Sequence, residues 1–77
     1  MRRLKTQKMI AKSLRKARLD SQMPLEVVIE DLKDLKVKCS RANLNKVEIG
    51  QISCRADILA ALCLIYDIKV EEVLYKN

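Results

Sequence analysis

Gly50 and Pro24 are the only glycine and the only proline in the chain, and no other feature constrains its fold as much. A meander of short strands needs a turn-forming residue at roughly every 8–12 positions, whereas helices joined by tight connections need very few. The chain is therefore expected to be all-α. Its 77 residues allow one domain, 1–77, because a second core could not be built from what the first leaves over. A hydrophobic share of 49% is enough for that one core and too high for a disordered tail.

What is missing narrows function as well. There is no histidine, which removes the commonest general base, histidine-based nucleophilic relays and most zinc arrangements. A single glycine cannot build a phosphate-cradling loop, and no spaced pair of carboxylates stands out. No enzymatic activity, cofactor or metal is expected. Cys39, Cys54 and Cys63 contain no Cys-x-x-Cys pair. In a reducing compartment they serve as small apolar residues, Cys63 in the core and the other two near helix ends. Tyr66 and Tyr75 are the only aromatics, too few to stack the bases of a single strand. The longest uncharged stretch of the apolar C-terminal half, Ile58 to Tyr66, is far short of the ~20 residues that cross a bilayer. Met1 to Ile10 also lacks the apolar run of a secretion signal. The expectation is a cytoplasmic protein without a membrane segment.

Sixteen lysines and arginines against ten acids give a net charge of +6, and the excess is local. Arg2, Arg3, Lys5, Lys8, Lys12, Arg15, Lys16 and Arg18 fall in residues 1–18 with no acid among them. Such a block suits a polyanionic partner, either nucleic acid or an anionic membrane surface, and equally the solvated face of an ordinary surface helix.

Residues 1–5 read as a flexible basic arm. From Thr6 the residues Ile10, Leu14 and Ala17 recur at helical spacing, with Met9 beside them, which predicts an amphipathic helix ending near Asp20. Met23-Pro24 opens a second helix whose stripe is Leu25, Val28, Ile29, Leu32 and Leu35. After Lys36 the pattern breaks, and Ser40 stands where a hydroxyl caps the next helix, roughly Ser40 to Ile49. Ala42, Leu44 and Val47 offer that third helix a buried side, while Arg41, Asn43, Asn45 and Lys46 are hydrogen-bonding groups and Glu48 is its only acid. Gly50 supplies the left-handed residue that ends it. A fourth helix, about Arg55 to Tyr66, is apolar almost all round, and a short fifth runs from Val70 to Tyr75. Arginine reads guanine, asparagine reads adenine, and lysine reaches guanine or phosphate, so the third helix has the side chains that read base edges.

At this point the sequence resembles the Cro and lambda-repressor type of helix-turn-helix regulators, the xenobiotic response element family. Ser40-Arg41-Ala42-Asn43-Leu44-Asn45-Lys46-Val47-Glu48-Ile49-Gly50 follows that family's recognition helix closing with "Ile-Glu-x-Gly". Leu59 to Leu74 resembles its "Leu-Leu-x-Leu-Ala-x-Ala-Leu-x-Val-x-x-x-Glu-Leu-Leu" ending, and Ile10, Leu14 and Arg18 match "Ile-x-x-x-Leu-x-x-x-Arg" in its first helix. The order and spacing of these segments over almost the whole chain carry the resemblance. Three departures stand out. The connection Lys33 to Cys39 is longer than the family's usual turn, with Lys36 where a long form resembling "Gly-Ile-x-Ile-Ser" has glycine. Ile29 stands for a usual alanine, which suits a wider helix crossing. Leu25 replaces a glutamine that holds phosphate in many relatives, and Ile49 and Ile52 make a usually polar loop apolar.

The resemblance implies a compact five-helix lambda-repressor-like DNA-binding domain with a lengthened turn between helices 2 and 3. It implies sequence-specific binding of double-stranded DNA through residues 40–49 in the major groove. Arg41, Ala42 and Lys46 would lie nearest the bases, with Asn43 and Asn45 on bases or phosphate, and Lys38 and Arg55 on flanking phosphates. One such module buries little surface, so a homodimer is expected, with its contact in the last two helices and the Ile49 to Ile52 loop. Two other readings stay open. Leu25, Ile49 and Ile52 would suit an antitoxin-like or accessory module that keeps the fold and contacts a protein, and a basic amphipathic helix would suit anionic lipid.

Overall fold

Each helix begins and ends where local chemistry dictates. In the computed structural model, which describes residues 2–76, Thr6 caps α1 (Gln7–Asp20), its Oγ1 accepting from the Met9 N–H at 3.3 Å. Pro24, extended and without an N–H to satisfy, leads into α2 (Leu25–Asp34). Ser40 caps α3 (Arg41–Glu48), and its Oγ accepts from the Asn43 N–H at 3.1 Å. Arg55 precedes α4 (Ala56–Tyr66), which closes on Asp67 in the left-handed conformation, and α5 (Val70–Leu74) follows. Gly50 has φ +78°. A Cβ there would stand 3.1 Å from Lys8 Cγ and 3.3 Å from the Lys8 backbone, so both the conformation and the close approach of α1 call for glycine.

The apolar stripes meet in one core. Leu14 of α1, Val28 and Leu32 of α2, Leu44 of α3, Leu62 of α4 and Val73 of α5 are fully buried and belong to one packed cluster. The most buried element is α4, with Ile58, Ala61, Leu62, Cys63 and Tyr66 all inside. The all-α, five-helix architecture follows from the sequence as expected. Among the described residues no helix is long and apolar enough to cross a membrane.

Four expectations need correction. Residues 3–5 are not a loose arm: β1 (Arg3–Leu4) pairs antiparallel with β2 (Tyr75–Lys76), and the Lys5 N–H bonds the Leu74 carbonyl at 2.7 Å. Lys5 Nζ is held by Ser13 Oγ and the Glu72 carbonyl, and Arg2 lies over the Tyr75 ring. Met1 of that expected arm lies outside the described residues. The fifth helix gives up Tyr75 to this ribbon. Leu35 leaves the apolar stripe of α2 because the helix ends at Asp34 and Lys36 turns left-handed at φ +60°, which leaves Leu35 exposed. In α3 the inward and outward roles of two residues are exchanged: Ala42 is exposed and Glu48 is buried.

Candidate nucleic-acid interface

The inward ridge of α3 is Leu44, Val47 and Glu48. Helical spacing then puts Ala42 and Lys46, one turn apart, on the opposite side, with Asn43 and Asn45 flanking them and Arg41 nearer α2. Ser40, Arg41, Ala42, Asn43, Asn45 and Lys46 are all exposed, as are Lys38 just ahead of the helix and Arg55 at the start of α4. The structure thus brings six of the eight candidate residues onto one short helix and its cap, and sets the other two in the turns on either side.

Two of the eight are not unpartnered cations. Arg41 Nη2 lies 2.9 Å from Glu26 Oε1, across from the first turn of α2, with both side chains more than half exposed. Arg55 Nη2 is 3.0 Å from Asp57 Oδ2. Among the described residues Lys38 and Lys46 make no ion pair. Exposed pairs of this kind are worth about 0–1 kcal/mol, so neither arginine is locked away from another acceptor.

The feature that sequence reasoning missed is what holds α3 in place. Arg18, counted among the N-terminal cations, is spent inside the molecule. Its Nε donates to Glu48 Oε2 at 2.7 Å and its Nη2 to Oε1 at 3.0 Å, in a two-point clamp with side chains only 11% and 3% exposed. A third donor, Nη1, reaches the Met23 carbonyl at 3.0 Å, which ties in the turn before α2. The hydrogen bonds to Glu48 raise the Arg18 pKa above its ordinary value against the opposing pull of burial. One signal was available: Arg18 falls four residues after Leu14 on the buried stripe, and a charge there requires a partner. Two residues beyond Glu48, at the same end of α3, Gln7 Nε2 donates to the Gly50 carbonyl at 2.9 Å. Together these contacts fix α3 against α1 and leave its other side open.

Tyr66 lies near the clamp. Burial raises its phenol pKa well above the usual range, the Glu48 carboxylate adds to that, and its hydroxyl has no hydrogen-bond partner among the described residues. Cys39 and Cys54, half-buried, sit immediately ahead of the capping residues of α3 and α4, and Cys63 is in the core. Burial pushes all three thiols up, Cys54 to about 12. At neutral pH they are protonated apolar groups. Among the described residues no group of three or more cysteines and acids is placed to hold a metal ion.

Around Ile49 and Ile52 the surface turns apolar. Ile49 is 59% exposed, and Ile52 lines a hollow of 180 Å³ with Ile10, Val47, Leu59 and Leu74. Leu25, in contrast, is half-buried against the core and offers little to a partner.

No protein-family model and no curated protein sequence matches the chain. Solved structures do. The crystal structure of the clp gene regulator ClgR from C. glutamicum superposes with a TM-score of 0.72 at 24% identity, covering 87% of this chain and 80% of that one. The DNA-binding domain of BldD from S. venezulae gives 0.70 at 24% identity, covering 88% and 94%. At such identities the likeness establishes the helix-turn-helix fold.

Proposed function

We propose that the protein is a sequence-specific double-stranded DNA-binding regulator of the Cro and lambda-repressor type, acting from the cytoplasm as a homodimer. One observation carries the reading: the outward side of α3 presents Ala42, Asn43, Asn45 and Lys46, with the exposed Arg41 at its N-terminal edge and no acid among them, because the helix's one carboxylate, Glu48, is turned inward onto Arg18. A polyanion approaching that side meets donors and no repelling charge from α3. The fold's likeness to ClgR, a gene regulator, and to the DNA-binding domain of BldD supports the same reading.

In this arrangement α3 lies in the major groove. Lys46 and Arg41 donate to guanine O6 and N7, Ala42 packs on a thymine methyl, and Asn43 and Asn45 reach bases or the near phosphates. Lys38 and Arg55 bracket the helix and contact phosphates, with Ser40 at the helix start. Arg41 exchanges an exposed carboxylate for a base edge. A domain of this size needs a second copy for tight binding, and the exposed Ile49 and Ile52 beside their apolar hollow are the surface we assign to it. Two copies joined there would read half-sites about 34 Å apart.

Selection of bound duplexes from a random pool, followed by titration of the enriched site and a scrambled one at two salt concentrations, tests the proposal. A two-fold symmetric motif is expected, with affinity that falls as salt rises by roughly one logarithmic unit per logarithmic unit for each phosphate contacted. No enriched motif and no salt-dependent binding would leave the fold without a DNA role. The exposed Ile49 to Ile52 surface would then favour the accessory-module reading.

A further inference from the structure

A second apolar surface lies at the C-terminal end of α2. Leu64 of α4 is 69% exposed, and Leu35, just past α2, is 41% exposed. Together with Ile65 they line a shallow depression of 260 Å³ whose other walls are Asp31 and Asp34. Both aspartates fall in the last turn of α2, where the helix dipole is already negative, and Asp67 caps the C-terminal end of α4 one turn beyond Leu64. Among the described residues these three carboxylates make no ion pair. Two large aliphatic side chains are thus left in water beside acids at two negative helix ends, in a protein of net charge +6.

We infer that this surface docks a protein partner presenting a large apolar side chain flanked by lysine or arginine. Charge selects that occupant. DNA is repelled by the aspartates. A second copy whose two-fold axis passed through the depression would bring the Asp31 and Asp34 carboxylates of both molecules together, which is unfavourable. A cationic partner relieves both the unpaired carboxylates and the helix ends while it covers Leu35 and Leu64. The surface also stays accessible on DNA. Asp34 lies eight residues along α2 from Glu26, about 12 Å from the end that meets Arg41, so the partner and a duplex can be held together. The inference does not depend on the DNA reading.

The test is an amide-shift NMR titration of the full chain with two synthetic amphipathic helical peptides, one built from leucine and lysine and the other from leucine and glutamate. The lysine peptide is expected to shift residues 30–35 and 61–67, and the glutamate peptide to leave them unmoved. Leu64→Ala should weaken the lysine peptide about tenfold. The double variant Asp31→Lys/Asp34→Lys, at one half-buried and one exposed position that are both outside the core, should reverse the preference between the peptides. Shifts centred on Ile49 to Ile52, equal binding of the two peptides, or no binding would overturn the inference. So would self-association in sedimentation that Leu64→Ala abolishes, since a second copy would then be the occupant.

Discussion

Two arginine–glutamate pairs bracket α3. At its C-terminal end Glu48 accepts two hydrogen bonds from Arg18, and at its N-terminal end Arg41 meets Glu26 at 2.9 Å. The residue types are the same and the distances are close, yet the first pair is buried and the second is more than half exposed. Burial decides what each can do. Separating the inner pair would strand a charge where little water can reach it, so the clamp holds α3 to α1. The outer pair exchanges one solvated acceptor for another at little cost, so it leaves Arg41 available. The same chemistry therefore anchors one end of the helix and presents the other.

The largest expected effect breaks the inner pair. Glu48→Ala leaves the Arg18 guanidinium without its two carboxylate bonds and should cost about 3 kcal/mol or more, a large share of a small domain's stability, measured by urea denaturation. Replacing both partners, Arg18→Met with Glu48→Leu, should recover most of that loss, because the cost lies in the stranded charge. The pH dependence has a defined sign. Arg18 is raised in the folded state, so its contribution is complete wherever the unfolded chain keeps arginine charged, and it disappears only as strong alkali passes the folded pKa. Acidification is therefore no test of the arginine's side of the clamp.

The next effect concerns the outer arginine and appears in binding. Arg41→Ala should lose about 1–3 kcal/mol on the selected duplex and relax preference at one base position, with the urea midpoint little changed. Lys38→Ala should weaken cognate and scrambled duplexes alike and flatten the salt slope. Equal losses on both duplexes for both variants would remove Arg41 from the bases.

The contrast also separates what was legible in the sequence from what was not. Features set within one or two turns could be read directly: the start of the first helix at Thr6, the Ser40 cap, the Gly50 terminus and the stripe Val28, Leu32 depend only on neighbours along the chain. So could the exposure of Arg41, Asn43, Asn45 and Lys46, since polar side chains at those spacings have nowhere else to go. What distant contacts decide was hidden. Arg18 reaches Glu48 across 30 positions, and the counting of N-terminal cations placed it on the surface although its spacing from Leu14 placed it inside. Residues 3 and 4 pair with residues 75 and 76, too short a ribbon to show any alternation of its own. Leu35 kept the helical spacing after the helix had stopped.

A smaller effect lies in the turn that sets the distance between the outer partners. Lys36 is left-handed at φ +60°, a conformation that costs an L-residue roughly 1–2 kcal/mol. Lys36→Gly should therefore raise stability by about 0.5–1 kcal/mol, after the greater freedom of glycine in the unfolded chain is set against the gain. Thermal and urea melts check it. Neither arginine–glutamate pair should change in strength, because the substitution relaxes the backbone without moving α3 off its clamp.

The smallest effect is the most direct measure of the comparison. A double-mutant cycle of Glu26→Ala and Arg41→Ala should give a coupling of about 0.2–1 kcal/mol in folding stability, reduced further at high salt because solvent and ions screen the pair. The corresponding cycle for Arg18 and Glu48 should give several times more, with little dependence on salt. If the outer coupling matched the inner one, Arg41 would be held as firmly as Arg18. Its transfer from Glu26 to a base would then cost as much as it gained, and the role proposed for Arg41 would fall.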